Sequence, residues 1–116
     1  MMNFKNVLIV GLIVGGLVCG VNNSFASESG VCWVIDWYRG EVVKLSPKGS
    51  ETVRVGGFQL PDSISVNPAD GTCWVADSGH DQVVKLSPNG SEMVRVGGFS
   101  ILRAVSVNPA DGTCWV

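Results

Sequence analysis

Gly71-Thr72-Cys73-Trp74-Val75-Ala76-Asp77 contains a tripeptide, Cys-Trp-Val, that occurs three times: at Cys32–Val34, Cys73–Val75 and Cys114–Val116. The spacing is 41 residues both times. A fixed period of about 20–50 residues marks a repeat architecture and takes precedence over any local reading. Val31–Gly71 aligned with Thr72–Gly112 gives 26 identities in 41 positions, and a third unit begins at Thr113. Each unit holds four short β-prone runs: Val31–Ile35, Glu41–Leu45, Glu51–Val55 and Ser63–Val66, then Thr72–Ala76, Gln82–Leu86, Glu92–Val96 and Ala104–Val107. No segment has a helical period, so the expectation after the N-terminus is essentially all β.

The turns between the runs have mechanisms. Asn67-Pro68-Ala69-Asp70-Gly71 predicts a tight hairpin, with Pro presetting one residue, Asp bonding nearby backbone and Gly taking positive φ. Ser46-Pro47-Lys48-Gly49 and Ser87-Pro88-Asn89-Gly90 follow the same logic, and Gly56-Gly57 and Gly97-Gly98 end the next strand. Within Cys73-Trp74-Val75-Ala76, alternate residues face opposite ways and both faces are apolar, so the strand is expected to be covered on both sides. Four strands covered on both faces by their own copies make a propeller blade, with the Trp stacked between blades. The three mid-strand cysteines are expected to be free, buried and too far apart to bridge.

Trp74–Gly90, with Gly97-Gly98-Phe99 and Val105-Ser106-Val107-Asn108-Pro109, resembles an NHL repeat. It is also similar to repeats of six-bladed gluconolactonase-like and streptogramin-lyase-like propellers. The resemblance covers Val31–Val116. It departs where Cys-Trp replaces an aliphatic-Tyr pair and His80-Asp81 replaces Asn-Asn or Asn-His. It implies that Asp62–Val66 and Arg103–Val107 are innermost strands, with the Cys-Trp-Val, Val-Val-Lys-Leu and Val-Arg-Val runs following outward. Residues 27–116 would then hold three strands, a complete blade and two more strands of a partial propeller. Rings take about 4–8 blades, so the expectation is a piece of a longer chain. The other reading is a ring completed by several copies, a homo-oligomer. Residues 27–116 alone are expected to be unstable or oligomeric.

The first 26 residues are set apart from the fold. Lys5 precedes the uncharged run Val7–Val21, and Ser24 and Ala26 stand at the −3 and −1 positions of a cut before Ser27. This is the order of a secretory signal peptide, giving an exported, periplasmic or extracellular product. The alternative is an uncleaved anchor, although 15 residues fall short of the roughly 20 that a spanning helix needs. Gly16-Leu17-Val18 is a poor approach to a lipidation cysteine at Cys19.

The balance of 8 Lys+Arg against 10 Asp+Glu gives no electrostatic case for nucleic acid. No CxxC pair occurs, and neither a metal nor another cofactor is expected. The 15 differences between units concentrate in Trp37–Glu41 against Ser78–Gln82 and Gln59–Ile64 against Ser100–Val105. In a propeller both loops open on one end of the ring, and varied loops on an unchanged frame make a binding surface. The candidate ligand-binding residues are Trp37, Tyr38, Arg39, Asp62, His80, Asp81 and Arg103, for a protein, peptide or carbohydrate partner. Trp37-Tyr38-Arg39 can stack on and pair with a planar or sugar ligand, or the two aromatics pack over a blade edge. His80 is the only histidine. As a base it needs a partner and a pocket; the simpler expectation is a solvated loop residue. No catalytic residue is assigned. Asp36 and Asp77 are expected to cap turns, and Lys44, Lys85, Arg54 and Arg95 to lie at solvated blade edges. Asn89-Gly90-Ser91 matches a glycosylation sequon. The function classes are an exported binding module, a lactonase- or lyase-type enzyme, and a structural envelope protein.

Overall fold

A computed structural model describes residues 31–116. The signal-peptide expectation lies outside the described residues. Nine strands follow in order: β1 (Cys32–Asp36), β2 (Glu41–Leu45), β3 (Glu51–Val55), β4 (Pro61–Val66), β5 (Cys73–Asp77), β6 (Gln82–Leu86), β7 (Glu92–Gly97), β8 (Ser106–Val107) and β9 (Cys114–Trp115). They form three antiparallel sheets: β1-β2-β3, β4-β5-β6-β7 and β8-β9. The division into three, four and two strands is the one expected from the repeat, and β4 is an edge strand followed outward by β5, β6 and β7.

Equal sequence gives equal pairing. Cys32 faces Leu45 and Trp33 faces Lys44, as Cys73 faces Leu86 and Trp74 faces Lys85. Both outer pairs slip register at the same place, Lys44/Leu45 and Lys85/Leu86. The hairpins also repeat. Asn67 Oδ1 accepts the Ala69 amide at 2.9 Å and Asp70 Oδ1 accepts the Thr72 amide at 3.0 Å, with Gly71 at φ +80°. Asn108 and Asp111 do the same in the copy. The Asx side chains thus hold the chain reversal that only the glycine can complete without strain.

Two differences from expectation are local. Ser78–His80 is a 3₁₀ turn rather than a plain loop. It is closed by Asp81 at φ +55°, the position that Gly40 fills at φ +68° in the first unit. The innermost strands also have shifted starts: β4 begins at Pro61, where a strand tolerates proline, and β8 only at Ser106.

The core lies between sheets. Trp33 and Val42 of the first sheet meet Ile64, Cys73, Val75, Val84 and Leu86 of the second. On the other side, Ala76 and Val83 meet Leu102 and Val105, with Trp74, Phe99 and Cys114 against them. So β5 feeds one cluster with Cys73 and Val75 and the other with Trp74 and Ala76, as its two apolar faces require. Trp33 is 1% exposed. At about 25 cal/mol/Å² and roughly 150–250 Å² buried, it contributes about 4–6 kcal/mol as an upper bound. Cys73 and Cys114 are in no disulfide; Cys73 is buried as expected, whereas Cys114 is only half-buried.

Lys44 is not a solvated edge residue. Its ammonium sits 5.7 Å from the Trp33 ring centroid and donates to the Pro88 carbonyl at 2.8 Å, tying the first sheet to the second. Lys85 covers Trp74 in the same way at 5.6 Å. Arg54 and Arg95 do lie at exposed edges, paired with Glu51 and Glu92, and Arg54 also pairs with Glu41. The inner strands of successive sheets are joined by hydroxyls: Ser63 Oγ accepts the Val105 amide at 3.2 Å and Ser65 Oγ the Val107 amide at 3.0 Å. Among the described residues no helix is long and apolar enough to cross a membrane.

Candidate functional site

Strand alternation and short hairpins send four connections to one end of the sheets: β1–β2, β3–β4, β5–β6 and β7–β8. They enclose an open groove of about 280 Å³ lined by Trp37, Leu60, Asp62, Ser78, Gly79, Ile101, Leu102 and Arg103. Each of the four segments in which the two units differ contributes to it.

The groove wall is held by an inter-sheet clasp. The Gly79 amide donates to the Gln59 carbonyl at 2.8 Å, and the Gln59 amide donates to Asp77 Oδ1 at 2.7 Å. The approach is possible only without a side chain, because a Cβ on Gly79 would lie 2.6 Å from the Gln59 oxygen and 2.5 Å from its Cγ. Ser78 Oγ donates to the Leu102 carbonyl at 2.9 Å, fastening the same turn to the connection that leads into the next sheet.

Asp77 does more than cap a turn. It is fully buried. Besides the Gln59 amide, its Oδ2 accepts Gln82 Nε2 at 2.9 Å and meets His80 Nδ1 at 2.8 Å. A buried carboxylate needs this many donors to offset its lost hydration. Its counterpart Asp36 keeps the expected role, accepting the Arg39 amide at 3.1 Å near the surface. The difference arises because Asp77 has a preceding unit's loop to reach back to and has Gln82, a donor, where Asp36 has Glu41.

Of the residues singled out in the sequence, Trp37, Asp62 and Arg103 come together at the groove. Asp62 and Arg103 approach to 3.9 Å, and the Arg103 side chain is 77% exposed. Tyr38 points to solvent, and Arg39 is drawn back onto Asp36 at 3.5 Å. The Trp37-Tyr38-Arg39 trio therefore does not share one surface of the groove. His80 is half-exposed on the Asp77 side of its turn, so it has a partner and is not simply solvated. Asp81 supplies the left-handed residue that closes the 3₁₀ turn, and its carbonyl accepts the Phe99 amide at 3.3 Å. Among the described residues no three His, Cys, Asp or Glu side chains group as a metal-binding set.

Leu60, Ser78, Gly79, Ile101 and Leu102 also line the groove and are not among the candidates named from the sequence. Leu60 and Ile101 occupy one alignment position inside the varied segments, which was the available signal, but aliphatic residues there suggest core. Both have positive φ, +49° and +58°, and both are exposed.

No family model and no curated protein matches the chain. Among solved structures it is similar to one titled "Streptogramin B lyase structure", with a TM-score of 0.63 at 22% identity. The match takes in 78% of this chain and 31% of that one. The architecture is that of β-propeller blades. At this identity the likeness speaks for fold alone, and the chain spans about a third of the length of that structure. In propeller terms β4–β7 is one four-stranded blade, flanked by parts of two others.

Proposed function

We propose that this chain belongs to an exported NHL-type propeller that acts as a binding module, taking a small ligand, peptide or carbohydrate in the groove between successive blades. The observation that carries the reading is the convergence of all four varied segments on one groove, while the strands and bottom hairpins stay nearly unchanged between units. Trp37 offers a half-exposed ring and Arg103 an exposed guanidinium, the residue types that anchor binding sites. Export rests on the N-terminal segment, and membership of a larger ring on the number of blades in such folds. The test is ligand-observed NMR of the full chain with a panel of monosaccharides, dipeptides and aromatic carboxylates. A binder whose signal is lost in Trp37→Ala and Arg103→Gln supports the module. Binding that survives both substitutions refutes this site.

A second reading, an enzyme of the lactonase or lyase kind, draws on the buried Asp77 holding His80 Nδ1. That arrangement leaves Nε2 as a base at the surface. Turnover of a lactone that is abolished by His80→Ala would favour it over the module.

A further inference from the structure

Leu60 and Ile101 are conformationally expensive residues in exposed places. Both stand in the left-handed region, at φ +49° and +58°. For a bulky side chain this is unusual, and for a β-branched one it is an outlier. Glycine or asparagine would occupy the position more easily. The repeat nevertheless places an aliphatic residue there in both units, within segments that otherwise differ at every position from Gln59 to Ile64.

Packing does not account for it. The residue after each is the buried one: Pro61 in the first unit and Leu102 in the second. Leu60 remains 45% exposed and Ile101 78% exposed. Leu60 already has the next blade beside it, so a neighbouring blade does not cover this position. Strain retained at an exposed site without burial in return is the pattern of a contact residue. The two side chains line the groove together with Trp37 and with Arg103, whose carboxylate partner Asp62 is 3.9 Å away.

The geometry points to a small organic anion with a flat or branched apolar body as the ligand of this groove. Leu60, Ile101 and Trp37 grip the body, and Arg103 takes the anionic group. A groove of about 280 Å³ suits a molecule of one or two fused rings. The inference rests on the binding-module reading and names the class of ligand that it takes.

The probe is 1-naphthoate, titrated into the full chain to millimolar concentration while amide NMR shifts are followed. Shifts are expected at Leu60, Gly79 and Ile101–Arg103. Leu60→Gly and Ile101→Gly should each weaken binding by about tenfold, while the melting temperature stays level or rises, because the strain is relieved. Leu60→Asn, which also tolerates the left-handed region, gives the same pair of readouts with less backbone freedom. Arg103→Gln should remove the preference for naphthoate over the uncharged 1-naphthalenemethanol. If Trp37→Ala abolishes binding but both glycine variants bind normally, the groove stands and this inference falls. Equal binding of acid and alcohol to the unaltered chain overturns the assignment of the anionic group. The absence of shifts at the groove, or shifts confined to the exposed Met93–Val96 strand, overturns the inference as a whole.

Discussion

Asp77 and Asp36 occupy the same place in the repeat and do different work, and the difference can be measured. Asp77→Ala removes the acceptor of the Gln59 amide, of Gln82 Nε2 and of His80 Nδ1, all at 2.7–2.9 Å, from a fully buried position. The Gln59 amide then loses its part-buried partner. Hydrogen bonds to a charged group are worth about 1.5–3 kcal/mol each, and removing one member of a buried polar set typically costs about 3–5 kcal/mol in total. We expect a loss in that range. Asp36→Ala removes a longer, partly exposed pairing with Arg39, for which about 0–1 kcal/mol is typical. The assay is urea unfolding of both variants and of Asp77→Asn, fitted with a shared m-value. Asp77→Asn keeps an acceptor for Gln59 and should fall between the two. If Asp77→Ala is no more damaging than Asp36→Ala, the inter-blade clasp is not what the geometry makes it.

Three further outcomes follow from the same contacts. Gly79→Ala should destabilise by about 1–3 kcal/mol through overpacking alone, because the new methyl meets backbone that cannot yield cheaply; an unchanged melt would contradict this. Acid should weaken the fold below about pH 4. Burial raises the Asp70 carboxyl, but the Thr72 amide and hydroxyl with the Lys85 charge hold it below its ordinary 3.8. Arg54 and Arg95 likewise hold Glu51 and Glu92 below their ordinary 4.5. Lowered carboxyls stabilise the fold above their unfolded values and lose that contribution as pH falls through the folded ones, so Asp70→Asn should flatten the acid limb of a stability–pH curve. Burial pushes the Cys73 thiol far up, whereas Cys114 is only half-buried. Alkylation mapped by mass spectrometry should therefore modify Cys114 in the native state and Cys73 only on unfolding, and equal rates would count against the packing of β5.

The frame was legible because its determinants are local or periodic. The apolar faces of Cys73–Ala76 required two covers, and the sheets supply them. The Asn-Pro-Ala-Asp-Gly hairpins announced their own hydrogen bonds. The site was legible at the level of segments: differences between copies located the four connections that meet at the groove. What escaped depends on contacts between units. Locally, Asp77 has His80 and Gln82 where Asp36 has Arg39 and Glu41, and the third partner, the Gln59 amide, arrives from the preceding blade. Lys44 was read as solvated because its acceptor, Pro88, lies one unit on. Leu60 and Ile101 were passed over because a strained, exposed aliphatic looks in sequence like a core residue.

The most direct measurement is an exchange of one varied segment on an unchanged frame. Trp37–Arg39 is replaced by the residues that stand at Ser78–His80, keeping Gly40, where a Cβ would collide with the Phe58 carbonyl, and Glu41, which pairs with Arg54, and the full chain is titrated with 1-naphthoate while its melting is followed. Binding should be lost with the melting temperature shifted by no more than about 4–8 °C, the equivalent of 1 kcal/mol, because Trp37 and Tyr38 are largely exposed. Binding that persists through the exchange would contradict the claim that the varied loops, and not the repeated frame, form the site.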